Sequence, residues 1–369
     1  MEAAILWEIG QDWSVEEVEL DPPREGEVLV SFTSSGLCHS DHHIRAGDLP
    51  GLPLPVIGGH EGAGVVEEVG SGVRGLAVGD HVVSSFLPAC GRCRPCASGR
   101  QHLCDMGLLI MSGAQVDGSY RRHARDRDIG VMSLLGTFAS HGTVAEASLI
   151  RIDDDIPLES ACLLGCGVTT GWGSAVHTAG VQQGDTVVVV GFGGIGCGAV
   201  QGARLAGAQH IVVVETVAAK REDALLFGAT HFASTMDEAT ALVGELTQGA
   251  MADSAILTVG LLSGGLLGEA VSIVAKGGAV VLTALAPLTE MNPTVPLSMV
   301  TLFEKRILGS LFGSASPRVD IPRLLGLYRE GKLLLDEMVT TEYKLADINV
   351  GYDDMLAGRN IRGVIVHDH

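Results

Sequence analysis

The sequence predicts an α/β chain of two domains, an antiparallel barrel-like region and a parallel sheet with alternating helices. Three observations carry this. From Glu27 to about Ile152 the chain is mostly short β-type runs broken by Gly and Pro. After Cys166 the rhythm changes to strand and helix in alternation. Hydrophobic content of 46% with only 4% aromatic, together with 50 glycines, describes a Val, Ala, Leu and Ile core with many tight turns, which suits buried parallel strands.

In the first region the runs are Val28 to Phe32, Gly64 to Val69 and His81 to Phe86, each bounded by turn-forming residues. In the second, Thr186 to Val190, Ile195 to Ala206, Ile211 to Glu215 and Lys220 to Phe227 read as strand, helix, strand, helix, a βαβ unit. From about Phe312 a helix-like stretch, Ile321 to Glu330, and a terminal strand, Gly363 to Val366, are expected to return to the first domain. The expected boundaries are therefore 1–167 with 312–369, and 168–311. A length of 369 residues is too great for one small core and fits two domains.

A formal net charge of -20 repels phosphate backbones and anionic headgroups, so neither nucleic acid nor membrane is expected as a partner. Met1 to Ile5 has no basic segment leading into an apolar run. The longest glycine-rich apolar stretch, Val187 to Val200, is shorter than the ~20 residues of a membrane span. The chain reads as cytoplasmic, and in a reducing compartment clustered thiols are metal ligands rather than disulfides.

Val187 to Val190 runs straight into Gly191-Phe192-Gly193-Gly194-Ile195-Gly196, a G-x-G-x-x-G where a strand becomes a helix. Gly191 permits the tight turn, Gly193 lets backbone approach a pyrophosphate, and Gly196 lets helix and strand pack closely. The anion would sit at a helix N-terminus, where free N–H groups and the dipole favour it. Glu215 ends the second strand 19 residues past Gly196, the place of an acid that holds a ribose diol. A carboxylate there repels a 2′-phosphate, so NAD is expected over NADP.

Six of the eight cysteines fall into two ligand patterns. Cys90, Cys93, Cys96 and Cys104 pack four thiols into one short segment, a closed tetrahedral zinc site that braces a lobe. A nucleic-acid-binding zinc ribbon is the sharper alternative, and the acidic chain argues against it. Cys38, His60 with Glu61, and Cys166 are dispersed; two thiolates and one imidazole leave a fourth position open, as a catalytic zinc requires. Taken singly, a cysteine or histidine is more often core than ligand. All three, however, lie in polar or glycine-rich turns, which can converge on one cleft.

At these residues the chain resembles the zinc-dependent medium-chain alcohol dehydrogenases, nearly end to end. Gly-Leu-Cys-His-Ser-Asp at 36–41, Gly-His-Glu at 59–61, the four-cysteine lobe, Gly-Cys-Gly-Val-Thr-Thr-Gly at 165–171 and Gly-Phe-Gly-Gly-Ile-Gly at 191–196 follow that family's order. The resemblance implies a GroES-like antiparallel barrel as catalytic domain and a Rossmann doubly wound sheet as coenzyme domain. It implies two zinc ions per chain: a catalytic one on Cys38, His60 and Cys166 with Glu61 close behind, and a structural one on Cys90, Cys93, Cys96 and Cys104. Ser40 and His43 match a proton relay, and Asp41 matches the carboxylate behind the zinc-bound histidine. His39 and Arg362 match pyrophosphate contacts. Thr170 and the turn residues Gly191, Gly193, Gly194, Ile195 and Gly196 match coenzyme contacts, as do Glu215 and Lys220 at the ribose; Lys220 reads equally as a solvated helix lysine. Phe86 and Leu109 match the substrate pocket, and either could be plain core.

The implied reaction is reversible oxidation of alcohols to aldehydes or ketones. An alcohol must lose its O–H proton before its carbon releases hydride. Zinc lowers the pKa of bound water from 15.7 to about 7. A similar shift for an alcohol is worth roughly 11–12 kcal/mol, more than any single nearby side chain supplies. The alkoxide then passes hydride to nicotinamide. Trp172, the opening Ala4-Ile5-Leu6-Trp7-Glu8 and the ending Gly363 to Asp368 are similar to actinobacterial nicotinoproteins, nitroso-dye-dependent alcohol dehydrogenases in which NAD stays bound and an external redox acceptor reoxidises it. Glu215 stands where better-known members have Asp, and Gly136 to Gly142 replaces an aromatic-bearing segment near the cleft, which leaves the physiological alcohol open. A glutathione-adduct formaldehyde dehydrogenase is the other enzyme reading; a zinc-stabilised NAD-binding redox sensor is the non-enzyme one. The family further implies a homodimer or homotetramer.

Overall fold

The computed structural model describes residues 1–49, 51–287, 290–291 and 293–368; His369, the last residue of the expected return to the first domain, lies outside them. The chain forms two compact units: Met1–Cys166 with Ser316–Gly331 and Leu335–His369, and Gly167–Ala315 with Lys332–Leu334.

In the first unit the strands in chain order are β1 (Glu2–Leu6), β2 (Ser14–Glu17), β3 (Glu19–Leu20), β4 (Glu27–Gly36), β5 (Val56–Ile57), β6 (Gly62–Val69), β7 (His81–Ser84), β8 (Arg122–Ala124), β9 (Arg127–Val131), β10 (His141–Ala145) and β11 (Leu149–Ile152). The second unit contributes β12 (Thr186–Val190), β13 (His210–Val214), β14 (His231–Ala233), β15 (Ala252–Leu257), β16 (Val274–Leu282) and β17 (Arg306–Gly309). The first is completed by β18 (Val339–Tyr343) and β19 (Arg362–Val366).

Two largely antiparallel sheets make the first unit, in the orders β2-β1-β5-β9-β8-β3 and β11-β7-β6-β4-β19-β18, with β10 on β4. β4 alternates buried Val28, Val30 and Phe32 with partly exposed Leu29, Ser31 and Thr33, the two-residue period of a strand with one face on a core. The buried set meets Val66, Val82, Leu135, Val144 and Leu149. The C-terminal strand pairs antiparallel with it, Val364 opposite Gly36.

The second unit is a parallel sheet ordered β14-β13-β12-β15-β16-β17. All five residues of β12 are buried, as a central parallel strand with helices on both faces must be. Because β12 leads outward to β13 and β14 and the chain then crosses to β15, the strand order reverses between β12 and β15. Ligands of open α/β sheets bind at that reversal, outside the carboxyl ends of the strands.

Two helices begin earlier than periodicity alone suggests. The Ile321 to Glu330 stretch is the later part of a helix over Pro317–Arg329, where Ser316 and Pro317 form the start; proline suits the first helical position because its missing N–H is unpaired there anyway. The turn helix starts at Gly194 rather than Ile195, and the residues before Arg221 form a single 3-10 turn, Ala218–Lys220.

Candidate functional site

Three segments of the first unit carry the dispersed ligand set. Cys38 follows β4 and precedes the helix His39–Ala46, in extended conformation (φ -124°). His60 and Glu61 form the turn into β6. Ser84 on the neighbouring strand holds this turn by donating to the His60 carbonyl (3.3 Å) and accepting from Gly62 N–H (2.7 Å). Cys166 ends the third segment, and the Gly165 carbonyl accepts from Phe86 N–H at 3.4 Å.

The side chains converge. One ligand atom from each of Cys38, His60, Glu61 and Cys166 lies within 4.8 Å of the others, and all four residues are buried. Asp41 Oδ2 lies 3.1 Å from His60 Nδ1, so Nε2 is the nitrogen left for a metal. Asp41 is itself fixed by Gly59 N–H at 2.6 Å. Burial disfavours the imidazolium, but the facing Asp41 and Cys38 outweigh it and hold His60 well above the usual imidazole range. The Cys166 thiol hydrogen-bonds Cys38, which holds Cys38 well below the ordinary thiol range and pushes Cys166 up. Two soft sulfurs, one imidazole and an adjacent carboxylate fit a zinc with an open fourth position.

Glu61 is completely buried, and Arg362, the first residue of β19, donates to it through Nη2. The pair needs Gly36: a Cβ there would come within 2.2 Å of Glu61 Oε2 and 2.8 Å of Arg362 Nη2. No local pattern foretells this pairing, since its partners are 301 positions apart. Arg362 Nε remains a buried donor with no partner.

Around this centre, Ser40 Oγ lies 3.8 Å from Cys38 Sγ, and His43 Nδ1 lies 3.0 Å from Asp48 Oδ2. His43 is buried rather than a surface residue. Burial holds the His39 imidazole down at about 4, so that ring is neutral near pH 7. Phe86 packs edge-on against the His60 ring, centroids 5.9 Å apart. Leu109 is half-buried, its carbonyl accepting from Ser112 N–H.

The compact set also gathers. Cys90, Cys93, Cys96 and Cys104 place their sulfurs within 4.8 Å of one another. Cys93 and Cys104 sulfurs are 3.8 Å apart, about the edge of a tetrahedron built on ~2.3 Å Zn–S bonds. Cys90 N–H points at Cys104 Sγ (3.5 Å), as thiolate acceptors favour.

In the second unit Gly191 has φ +94°, a conformation that favours glycine, and a Cβ on Gly196 would meet the Gly191 carbonyl at 2.1 Å. Gly193 faces open space, with nothing within 4 Å of where its Cβ would be. The helix Gly194–Ala206 has no side chain capping its start, which leaves its first N–H groups for a ligand. Glu215 accepts from Phe192 N–H and Val217 N–H, both at 2.9 Å, and Lys220 Nζ donates to the Phe192 carbonyl at 3.1 Å. Thr170 lies in the buried helix Gly167–Gly173, which packs so closely on the turn helix that a Cβ on Gly171 would come within 1.9 Å of the Ile195 carbonyl. An open glycine cradle, a free helix start and an acid just past the next strand fit a dinucleotide.

Comparison with known proteins agrees with this geometry. The alcohol dehydrogenase GroES-like domain matches residues 24–154 and the zinc-binding dehydrogenase domain residues 194–330. The NDMA-dependent alcohol dehydrogenase of Amycolatopsis methanolica is 52% identical over 99% of this chain and 98% of its own length. This chain belongs to the zinc-dependent medium-chain alcohol dehydrogenase family. It is an enzyme, an oxidoreductase with a GroES-like domain and a Rossmann-type sheet. Among solved structures, an alcohol dehydrogenase zinc-binding domain protein from Burkholderia ambifaria superposes with a TM-score of 0.93 at 31% identity, covering 100% of this chain and 99% of that one. Benzyl alcohol dehydrogenase from Acinetobacter calcoaceticus gives 0.92 at 30%, with the same coverage. As an alcohol dehydrogenase it acts on a small-molecule substrate, and among the described residues no helix is long and apolar enough to cross a membrane.

Proposed function

We propose that this alcohol dehydrogenase carries two zinc ions and a retained NAD, and hands its electrons to an external acceptor. The gathering of Cys38, His60, Glu61 and Cys166 around one point carries the catalytic part of the reading. The likeness to a relative described as NDMA-dependent supports the retained coenzyme. Catalysis is assigned to the unit Met1–Cys166 with Ser316–Gly331 and Leu335–His369, close to the expected 1–167 with 312–369, and coenzyme binding to the unit Gly167–Ala315 with Lys332–Leu334, close to the expected 168–311.

When bound, the catalytic zinc supplies a Lewis acid that acidifies an alcohol or polarises an aldehyde, and NAD supplies the hydride acceptor. The chain's own residues do the rest. Asp41 keeps the His60 ring in one orientation and tautomer. Ser40 and His43 take the alcohol's proton outward, with the His43 ring held by Asp48 at Nδ1. Glu61, neutralised by Arg362, stands behind the metal ligands, and Phe86 and Leu109 line the alcohol side. In the second unit Gly191, Gly193, Gly194, Ile195 and Gly196 take the pyrophosphate, Glu215 and Lys220 the ribose, and Thr170 the nicotinamide side; in the first, His39 and Arg362 are kept as coenzyme contacts on the family resemblance alone. The four-cysteine lobe holds the second zinc. Thiol ligands must stay reduced, which fits a cytoplasmic setting.

Denaturing the purified protein and assaying the supernatant should yield close to one NAD(H) per chain, with metal analysis giving two zincs. An empty supernatant removes retention from the reading; a single zinc removes one of the sites.

A homo-oligomer is part of the same proposal. Among the described residues β17 is an open sheet edge whose Ile307 is 38% exposed, and Leu297 and Leu302, on the helix that precedes it in the chain, are 74% and 76% exposed. An apolar open edge invites strand pairing with a second copy. Sedimentation should give at least a dimer, and Ile307→Asp should shift it toward monomer; a monomeric unaltered protein would contradict the assignment.

A further inference from the structure

In the second unit five hydroxyls form one continuous hydrogen-bonded chain. Ser174 Oγ donates to the Thr170 carbonyl at 2.7 Å and lies 2.9 Å from both Thr283 Oγ1 and Ser310 Oγ. Thr178 Oγ1 lies 2.9 Å from both Ser310 Oγ and Ser314 Oγ. A hydroxyl has one proton and two lone pairs. Ser174 gives its proton to Thr170, so it must accept from Thr283 and from Ser310. Ser310 has then spent its proton and must accept from Thr178, which in turn must accept from Ser314. Every proton in the chain is assigned, and all of them point toward the Thr170 carbonyl.

The position of the chain is as informative as its direction. Thr283 is the residue after β16 and Ser310 the residue after β17, so both stand on the carboxyl rim of the sheet. Thr258 stands in the same place after β15, donating to the Gly191 carbonyl at 2.8 Å. Across the reversal of strand order, β12 and β13 carry the glycine turn and Glu215, the pyrophosphate and adenosine side. The β15 to β17 rim is left for the other half of a dinucleotide. Ser174 and Thr178 tie that rim to the helix Gly167–Gly173 and the π-helical turn Ser174–Ala179 that follows it, and Ser314 adds the turn Phe312–Ser314.

We propose that this hydroxyl chain is a positioning network that fixes the nicotinamide half of the bound dinucleotide and slows its release. The inference rests on the reading that this unit binds NAD. Ser174 is fully buried and Ser310 nearly so, whereas Thr283 and Ser314, at the two ends, are partly exposed. Both ends have spent their protons and offer only lone pairs. A carboxamide N–H, the donor on that half of the coenzyme, is the chemistry that such an end accepts. Networks of this kind are no better for stability than apolar packing, but they hold one arrangement of the segments they join.

The test uses the full chain with Ser174→Ala, which removes the hub, and Thr178→Val, which keeps the shape and cuts the chain beyond Ser310. Ser272→Ala is the control, because Ser272 likewise donates to the carbonyl four residues back (Gly268, 2.9 Å) but is exposed and outside the chain. Release of NADH is followed by loss of its protein-bound fluorescence, and affinity is measured for ADP-ribose, which lacks the nicotinamide. We expect NADH to leave about tenfold faster from the first two variants, the effect of orphaning a buried hydrogen-bonding group, with ADP-ribose affinity unchanged in both. Equal release rates overturn the inference, as does a parallel loss of ADP-ribose affinity, which would mean general loosening. Should Ser174→Ala fail to fold, Thr178→Val decides alone. If the unaltered protein exchanges NADH freely, the retained-coenzyme reading fails, while the ratio of variant to unaltered rates still decides this one.

Discussion

Replacing Cys38 by Ser is expected to lower kcat/KM for alcohol oxidation by ~10⁴-fold or more and to reduce the zinc content from two per chain to one. The magnitude follows from what the metal contributes. Acidifying an alcohol by several pKa units is worth about 1.36 kcal/mol per unit, and each such unit is a factor of ten in rate if fully expressed. Cys38 is buried against Cys166 and His60, so a serine leaves the site one thiolate short and the remaining ligands still crowded. The structural lobe is untouched, and so is the hydrophobic set around β4, so circular dichroism should be unchanged. Asp41→Asn is the graded companion: the imidazole loses its charged partner at Nδ1, and metal affinity should fall about 10–100-fold. Full activity of Cys38→Ser with a single zinc would show that the dispersed set is not the catalytic centre.

Cys104→Ser should act on stability first. Structural zinc in such sites carries apparent binding energies of about 10–16 kcal/mol, as large as the roughly 5–15 kcal/mol that holds a whole domain together. The lobe has little else to rely on. Between Cys90 and Cys104 the regular structure is one four-residue helix, Arg94–Ala97, and one 3-10 turn, Gln101–Leu103, and most of the side chains are exposed. The expected results are loss of one zinc, rapid proteolysis within 90–104 and a lower first melting transition, while NADH binding by the second unit persists. An unchanged melting curve with both zincs retained would show that the four thiols do not hold a metal.

The parts of the fold most legible in the sequence were those where one local rule suffices. β12 and β13 stand out as valine-rich runs because both of their faces are covered, and the glycine turn between them is written in consecutive residues. The two ligand sets were legible because thiols are rare and the turns around them are glycine-rich. The start of the Pro317–Arg329 helix was missed because its signal is capping rather than periodicity. The Glu61–Arg362 pair and the five-hydroxyl chain are of another kind. Each member is ordinary in its own segment, and only the closure of the sheets brings them together. A weak hint did exist for the hydroxyls, since Thr258, Thr283 and Ser310 each follow the last residue of a parallel strand.

The last strand has a consequence for how the protein is made. β19 pairs with β4, and its first residue, Arg362, neutralises Glu61 beside the dispersed ligands. During synthesis, therefore, Cys38, His60 and Cys166 emerge from the ribosome long before the strand and the cation that complete their surroundings. The four-thiol lobe has no such dependence, because all its ligands leave the exit tunnel together. The order of completion differs accordingly: the four-thiol set can close on an ion while the chain is still being made, whereas the dispersed set has its full surroundings only once β19 has been synthesised. A chain truncated before β19 should emerge with the first metal and without the second.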